Sequence, residues 1–455
     1  MSRVSLKVIG GGSEIGANSY VLSFDGHQVV LDCGLHPKKE GKESLPELSL
    51  LREAPEAVVV SHGHIDHCGA VPCLIRRFPQ TFCYTTKPTM RVMGRMLRNS
   101  VSVMGTLAYE RGIAEYPLYS HEDIDFAFQQ TTGMALDEEF ALTRESPVRA
   151  AFHHAGHVLG SAGVWLRANG HTVFYTGDIC FSNQELMGGF HSLGRPGKVD
   201  TLVIECTRGA HTNGKQTTFQ GEVKRFAEEA SKVLRKGGTV LVPSFALGRT
   251  QELLNIIARL QDGRHLPGVP VYVSGLGRAV YEIYNRFTEY LRPDAVLRPL
   301  RNFRRVGDVW ERPVARDLIK DPCIIVATSG MMVENTPSAM IARELVKRPE
   351  HAIFFVGYLD PDTLGYKLLH AEVGDALRFE TNGRAVRVNC ANRQQFSFSA
   401  HASREELQSL VEQIRPANIV FVHGDPDAIA WMRDNCNGPC RKFTPTLGDT
   451  VVLES

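Results

Sequence analysis

Three histidines and an aspartate fall within six residues of this chain, in Ser61-His62-Gly63-His64-Ile65-Asp66-His67, directly after the apolar run Ala57-Val58-Val59-Val60. The run reads as a buried strand, and Ala70-Val71-Pro72-Cys73-Leu74-Ile75-Arg76-Arg77-Phe78 after it has helical spacing. The imidazoles therefore occupy a loop from strand to helix, at a strand's carboxyl end, where ligands from several strands can converge. Histidines two apart in an extended loop point the same way, and Asp66 with His67 turns a second pair toward a neighbouring point, which suits two metal ions. Mixed nitrogen and oxygen donors favour zinc, with manganese as the alternative.

Two ions need more ligands. The chain offers His157 in Ala-Gly-His-Val-Leu-Gly, Asp178 in Phe-Tyr-Thr-Gly-Asp and His423 in Val-Phe-Val-His-Gly-Asp, each just after an apolar strand. Asp178 can bridge the two ions. Asp32, in Val-Val-Leu-Asp-Cys-Gly, sits at another strand end and can orient a ligand from behind.

The rest of the pattern says what carries these loops. Strand-like runs with glycine-rich breaks fill the first 35 residues and return between 148 and 205. From about 209 to 380, apolar strands alternate with helices, which implies a doubly wound, mostly parallel sheet. After about 385 the strand pattern resembles that of the first part. The expected organisation is α/β, with domain one from residues 1–208 and 381–455 and an insertion from 209–380. A length of 455 residues fits two or three domains.

Composition narrows the function classes. Lys and Arg total 51 against 50 acids, a formal charge of +1, so no global field announces a nucleic acid or an anionic membrane, and such binding must use local patches. One patch is Arg292, Arg298, Arg301, Arg304 and Arg305 around Phe303, which can grip a strand by charge and stacking. The opening residues lack a signal-like apolar core, no apolar run approaches about 18 residues, and the ten cysteines lie mostly in apolar segments. A cytoplasmic protein that does not enter a membrane is expected.

With these motifs in hand, the chain resembles the metallo-β-lactamase fold, an αββα sandwich with a dinuclear zinc site. Glu205 in Ile-Glu-Cys-Thr-Arg-Gly, the segments Pro-Ser-Phe-Ala-Leu-Gly-Arg-Thr-Gln-Glu and Ala-Thr-Ser-Gly-Met-Met, and His401 in Phe-Ser-Ala-His-Ala-Ser make it similar to the β-CASP nucleases within that superfamily. The resemblance implies two zinc ions, or manganese: His62, His64 and His157 on one, Asp66, His67 and His423 on the other, and Asp178 between. It implies His401 as general acid toward a leaving 3′-oxygen, held charged by Glu205. Metals about 3.5–4 Å apart can hold a hydroxide and stabilise an in-line phosphoryl displacement, so a phosphodiester is a natural target. Asp66 and Asp178 thus count among the catalytic groups.

A histidine at position 423 is typical of the RNA-processing branch rather than the DNA branch, so single-stranded RNA is the expected substrate, with DNA the alternative. Arg249, Ser329 and Gly330 fall, by the same resemblance, in substrate-facing loops. Ser403 resembles a residue of the 5′-phosphate pocket of ribonuclease J, which leaves endonuclease and 5′-exonuclease action both open. Arg208 departs from the aromatic residue common before the glycine of its motif. A small-molecule thioester or lactam hydrolase would share the metals but not the inserted domain. Partner assemblies, a homodimer or an RNA-processing complex, stay open.

Overall fold

In the computed structural model, which describes residues 3–191, 198–210, 218–307, 312–381 and 383–453, the N-terminal runs pair as antiparallel strands. They belong to a seven-stranded sheet in the order Thr450–Leu453, Val4–Gly10, Ser19–Phe24, His27–Leu31, Ala57–Val59, Phe82–Thr86, Thr131–Met134. A second seven-stranded sheet runs Arg441–Phe443, Asn418–Val422, Thr201–Glu205, His171–Tyr175, Ala162–Ala168, Arg149–His154, Phe140–Ala141.

The two-residue period of a strand explains the layering. Val4, Leu6 and Val8 turn one way and pack with Phe152, Val164, Val203 and Val420 of the second sheet. Val21, Val30 and Val58 turn the other way, onto Leu74, Met93, Leu97 and Ile124 of the helices Val71–Arg77, Lys87–Arg111 and His121–Gln129. Phe174, Leu202, Ile204 and Phe421 meet Leu407, Leu410, Ile429 and Met432 of Arg404–Ile414 and Pro426–Asn435. The result is the expected αββα sandwich. This first unit comprises Met1–Asn183, Gly188–Asn213 and Ala400–Ser455.

The second unit comprises Gln184–Met187 and Gly214–Ser399. Its six-stranded sheet, in the order Arg304–Arg305, Val271–Val273, Ile324–Ala327, Val240–Pro243, Ala352–Phe355, Asn392–Gln395, is parallel throughout. Val240, Val242 and Phe354 face Phe226, Leu254 and Ile257, whereas Leu241, Ile353 and Phe355 face Ile341, Leu345 and Leu368. Strands buried on both faces read as unbroken apolar runs, as these do.

Residues 381–399, expected with the first domain, lie in the second unit because Asn392–Gln395 completes its sheet beside Ala352–Phe355. The short piece Gln184–Met187 joins this unit through polar bonds. Glu252 accepts from the amides of Leu186 and Met187 at 2.8 and 3.1 Å, and Arg259 grips Glu185 at 2.7 and 2.9 Å. Among the described residues no helix is long and apolar enough to cross a membrane. All ten cysteines are free and nine are buried.

Candidate metal centre

The strand Ala57–Val59 delivers the histidine loop into the first unit's interior. His64 stays extended and caps the single turn Ile65–Cys68, so His62 and His64 precede the turn while Asp66 and His67 ride on it. The ligand groups form two sets. His64 Nδ1 lies 3.0 Å from His62 Nε2 and 3.2 Å from His157 Nε2, and Asp178 Oδ2 is 3.5 Å from each of those two Nε2 atoms. In the second set, His67 Nε2 is 3.7 Å from Asp66 Oδ2 and 3.4 Å from Asp178 Oδ1, and His423 approaches Asp66 Oδ2 at 3.5 Å and Asp178 Oδ1 at 3.0 Å. The two carboxylate oxygens of Asp178 are thus divided between the sets.

These spacings fit cations. Bonds of about 2.0–2.1 Å in a tetrahedron put donors roughly 3.3 Å apart. The buried Asp178 Oδ1 and His423 Nε2 have only these ring–carboxylate approaches, none of them with hydrogen-bond geometry, although buried polar atoms nearly always find a partner. A divalent ion on each set would satisfy both. Burial holds His62, His64 and His157 below the usual imidazole range, in the neutral form that ligates. His67 moves the other way: burial opposes charge, but Asp178, Asp66 and Asp32 outweigh it and push the ring up to about 9. The same balance raises His423, against burial, through Asp178 and Asp66. Burial would likewise raise Asp66 and Asp178, but the imidazoles around them lower both.

Asp32 anchors the centre from behind. Its carboxylate accepts from the Ser61 amide at 2.7 Å, the Ser61 hydroxyl at 2.8 Å, the Tyr175 hydroxyl at 2.6 Å and His67 Nδ1 at 2.7 Å. With Nδ1 held there, Nε2 of His67 is the atom turned to the ligand set. His157 is fixed alike, its Nδ1 donating to the carbonyl of Ala400 at 2.9 Å. Asp32 and His423 both have positive φ, 56° and 51°, a conformation that costs a non-glycine residue energy and collects at functional sites.

His401 stands beside this cluster, its ring centroid 4.6 Å from that of His157. Its Nδ1 faces Glu205, 3.2 Å from Oε2, while Glu205 Oε1 accepts the amide of Ile179 at 2.7 Å. Burial disfavours charge on His401, but the Glu205 carboxylate outweighs it and raises the pKa. Sequence reasoning missed three supports: Asn18, whose amide donates to the Asp66 carbonyl at 3.1 Å; Tyr175; and Thr207, whose hydroxyl is 3.3 Å from His423 Nδ1. No spacing pattern marks them, because they meet the ligands only in space.

The expected substrate contacts are engaged with the chain itself. Ser403 caps the helix Arg404–Ile414: its hydroxyl accepts from the Glu406 amide while the Glu406 carboxylate accepts from its own. The spacing Ser-x-x-Glu was the available signal. In the second unit, buried Arg249 donates to the Phe398 carbonyl at 2.6 Å and to Gln184. Ser329 accepts the Val333 amide at 2.8 Å, and a side chain on Gly330 would press against Phe245. Phe303, read as a stacking surface, is instead 3% exposed against Tyr281, since an apolar ring beside an edge strand gains more from the core.

Family models match along the chain: the metallo-beta-lactamase superfamily over residues 12–243, the Beta-Casp domain over 250–368, and a Zn-dependent metallo-hydrolase RNA specificity domain over 385–443. The chain is 30% identical over 427 residues to an RNase J-like protein of Methanocaldococcus jannaschii, covering 93% of each. It is 29% identical over 443 residues to cleavage and polyadenylation specificity factor 73 of Drosophila melanogaster, covering 94% of this chain and 61% of that protein. RNase aCSPSF2 of Saccharolobus solfataricus is 29% identical over 434 residues, with 94% and 81% covered. Among solved structures, a protein of unknown function from Enterococcus faecalis V583 has the same fold, with a TM-score of 0.60 at 13% identity over 99% of this chain and 100% of that one.

Proposed function

From the premise that the chain belongs to the β-CASP RNA-processing nucleases of the metallo-beta-lactamase superfamily, and is a metal-dependent hydrolase, we propose that it cleaves single-stranded RNA with two zinc ions. His62, His64 and His157 hold one ion, Asp66, His67 and His423 the other, and Asp178 both. When bound, the ions supply the positive charge that activates water and stabilises an in-line phosphoryl displacement. The observation that carries this reading is the division of the Asp178 oxygens between two donor sets at cation spacing.

The chain's own residues do the rest. Asp32 and the Ala400 carbonyl fix the tautomers of His67 and His157, so no reorganisation is needed as charge develops. Glu205 keeps His401 protonated, and His401 delivers its proton to the departing 3′-oxygen. The hydroxyl and amide of Ser403 are both held in the helix cap, which favours internal cleavage over a mode in which Ser403 grips a 5′-phosphate.

The test is one single-stranded RNA labelled separately at each end, beside the same sequence as DNA, with zinc or manganese and an Asp178→Ala control. Internal RNA fragments lost in the control support the proposal. Mononucleotides released from the 5′ end would replace the endonuclease with a 5′-exonuclease, and cutting of DNA alone would replace the substrate. Cleavage retained in Asp178→Ala would overturn the metal assignment.

A further inference from the structure

Four arginines of the second unit gather around one buried anchor. Phe303 sits in the core, its ring 5.7 Å from that of Tyr281, and its carbonyl accepts from Arg278 Nη1 at 2.7 Å. Arg301 is exposed on the turn Leu300–Asn302 just before it. Arg304 and Arg305 follow as the edge strand of the parallel sheet, opposite Tyr272 and Val273. Successive strand residues point to opposite faces, so these two exposed guanidinium groups flank the sheet edge on both sides. Arg304 lies over the Tyr272 ring at 5.9 Å, 3.4 Å from its hydroxyl.

Charge separates this group from its neighbours. Arg292 pairs with Asp294 and Arg298 with Asp262, each at 2.9 Å. Among the described residues Arg278, Arg301, Arg304 and Arg305 meet no carboxylate, and the hydrogen bonds of Arg278 and Arg304 go to neutral acceptors, a carbonyl and a phenol. In a chain whose formal charge is only +1, four guanidinium groups that meet no carboxylate among the described residues make a concentrated local field. Arginine's planar fork matches phosphate oxygens two at a time.

We propose that this sheet edge is a binding site for the phosphate backbone of single-stranded RNA, carried by a different unit from the metal ligands. That the polyanion is RNA rests on the proposed function. The grip is by charge, because Phe303 is turned inward. Exposed edge strands also carry charge simply to discourage pairing with other strands. Charge reversal separates the two roles, since glutamate keeps the edge charged but repels phosphate.

The experiment uses the full chain with arginines 301, 304 and 305 changed together (R301E, R304E, R305E), beside the matching lysine variant. Binding of a long single-stranded RNA is followed across a salt series in chelator, where no cleavage interferes. Losing three phosphate contacts lowers the slope of log affinity against log salt by about 2, at about 0.7 per contact. Affinity at low salt falls by at least about tenfold, and the lysine variant keeps most of it. With metal restored, KM rises for the long RNA. An unchanged slope overturns the proposal, as does loss of binding to anionic vesicles with RNA binding intact. If the triple variant fails to fold, Arg305→Gln serves, with a slope change of about 0.7 expected and none overturning. Failure of the wild-type chain to cut any RNA would refute the proposed function separately, since the binding slope needs no cleavage.

Discussion

Two loops, each at the carboxyl end of a buried strand, came out differently. The loop after Ala57–Val59 carries four ligand-type groups, His62, His64, Asp66 and His67, into the interior, and the centre they help to build leaves buried atoms such as His423 Nε2 without a hydrogen bond. The loop after Ile324–Ala327 carries Ser329 and Gly330, and its polar atoms close upon the chain, Ser329 accepting from Val333 and Ser338. Both positions suit ligand binding in an α/β sheet. What distinguishes a site is polar capacity that the fold leaves unfilled.

That contrast can be broken or sharpened by experiment. The largest effect is expected at Asp178: Asp178→Ala should lose cleavage by at least about 10³-fold and metal stoichiometry with it, measured by elemental analysis beside RNA turnover. Retained metal would mean the unfilled oxygens do not mark the centre. Next, His401→Ala should lower kcat by about 10²–10⁴-fold while metal content stays. His401 acts while protonated and its pKa is raised chiefly by Glu205 against burial, so activity falls as pH rises through that value. Glu205→Gln removes the cause, and the alkaline limb of the pH–rate profile should move to lower pH; an unmoved limb would detach the pair from proton transfer.

Smaller effects test the satisfied groups. Burial pushes the Glu252 carboxyl up to about 7, although Arg249 and the amides of Leu186 and Met187 pull it down. A carboxyl whose folded pKa is raised contributes stability that is full below its unfolded value and is lost as pH rises through the folded one. The melting temperature of Glu252→Gln should therefore gain on the wild type between about pH 5 and 8. A constant difference would show that Glu252 does not titrate on unfolding. The smallest effect belongs to Ser403: removing the cap in Ser403→Ala should cost about 1 kcal/mol in denaturant unfolding. Its cleavage of 5′-phosphorylated and 5′-hydroxyl RNA should stay equal, and a selective loss on the phosphorylated form would return Ser403 to substrate binding.

Much of this was legible in the residues. The strand and helix periods announced the layers, because a side chain's face follows from its position along an element. Asp32 and Asp178 were readable as polar residues ending apolar runs. Asn18 and Tyr175 were not, since their relation to the ligands is purely spatial. The arginines on both sides of Phe303 suggest a surface, whereas its ring, between the turn Leu300–Asn302 and the strand Arg304–Arg305, packs on Tyr281 in the core. Residues 381–399 were assigned by likeness of pattern, yet a strand's sheet is decided by its pairing partner.

The four residues Gln184–Met187 make the inserted segment something other than a removable cassette. Excising 214–399 would strand a stretch of host chain whose amides and Glu185 carboxylate have their partners in Glu252 and Arg259. The isolated insertion would keep Glu252 without the amides that it accepts. The second unit thus takes a piece of chain from outside the insertion, and a graft of residues 214–399 has to carry or rebuild Gln184–Met187 with it.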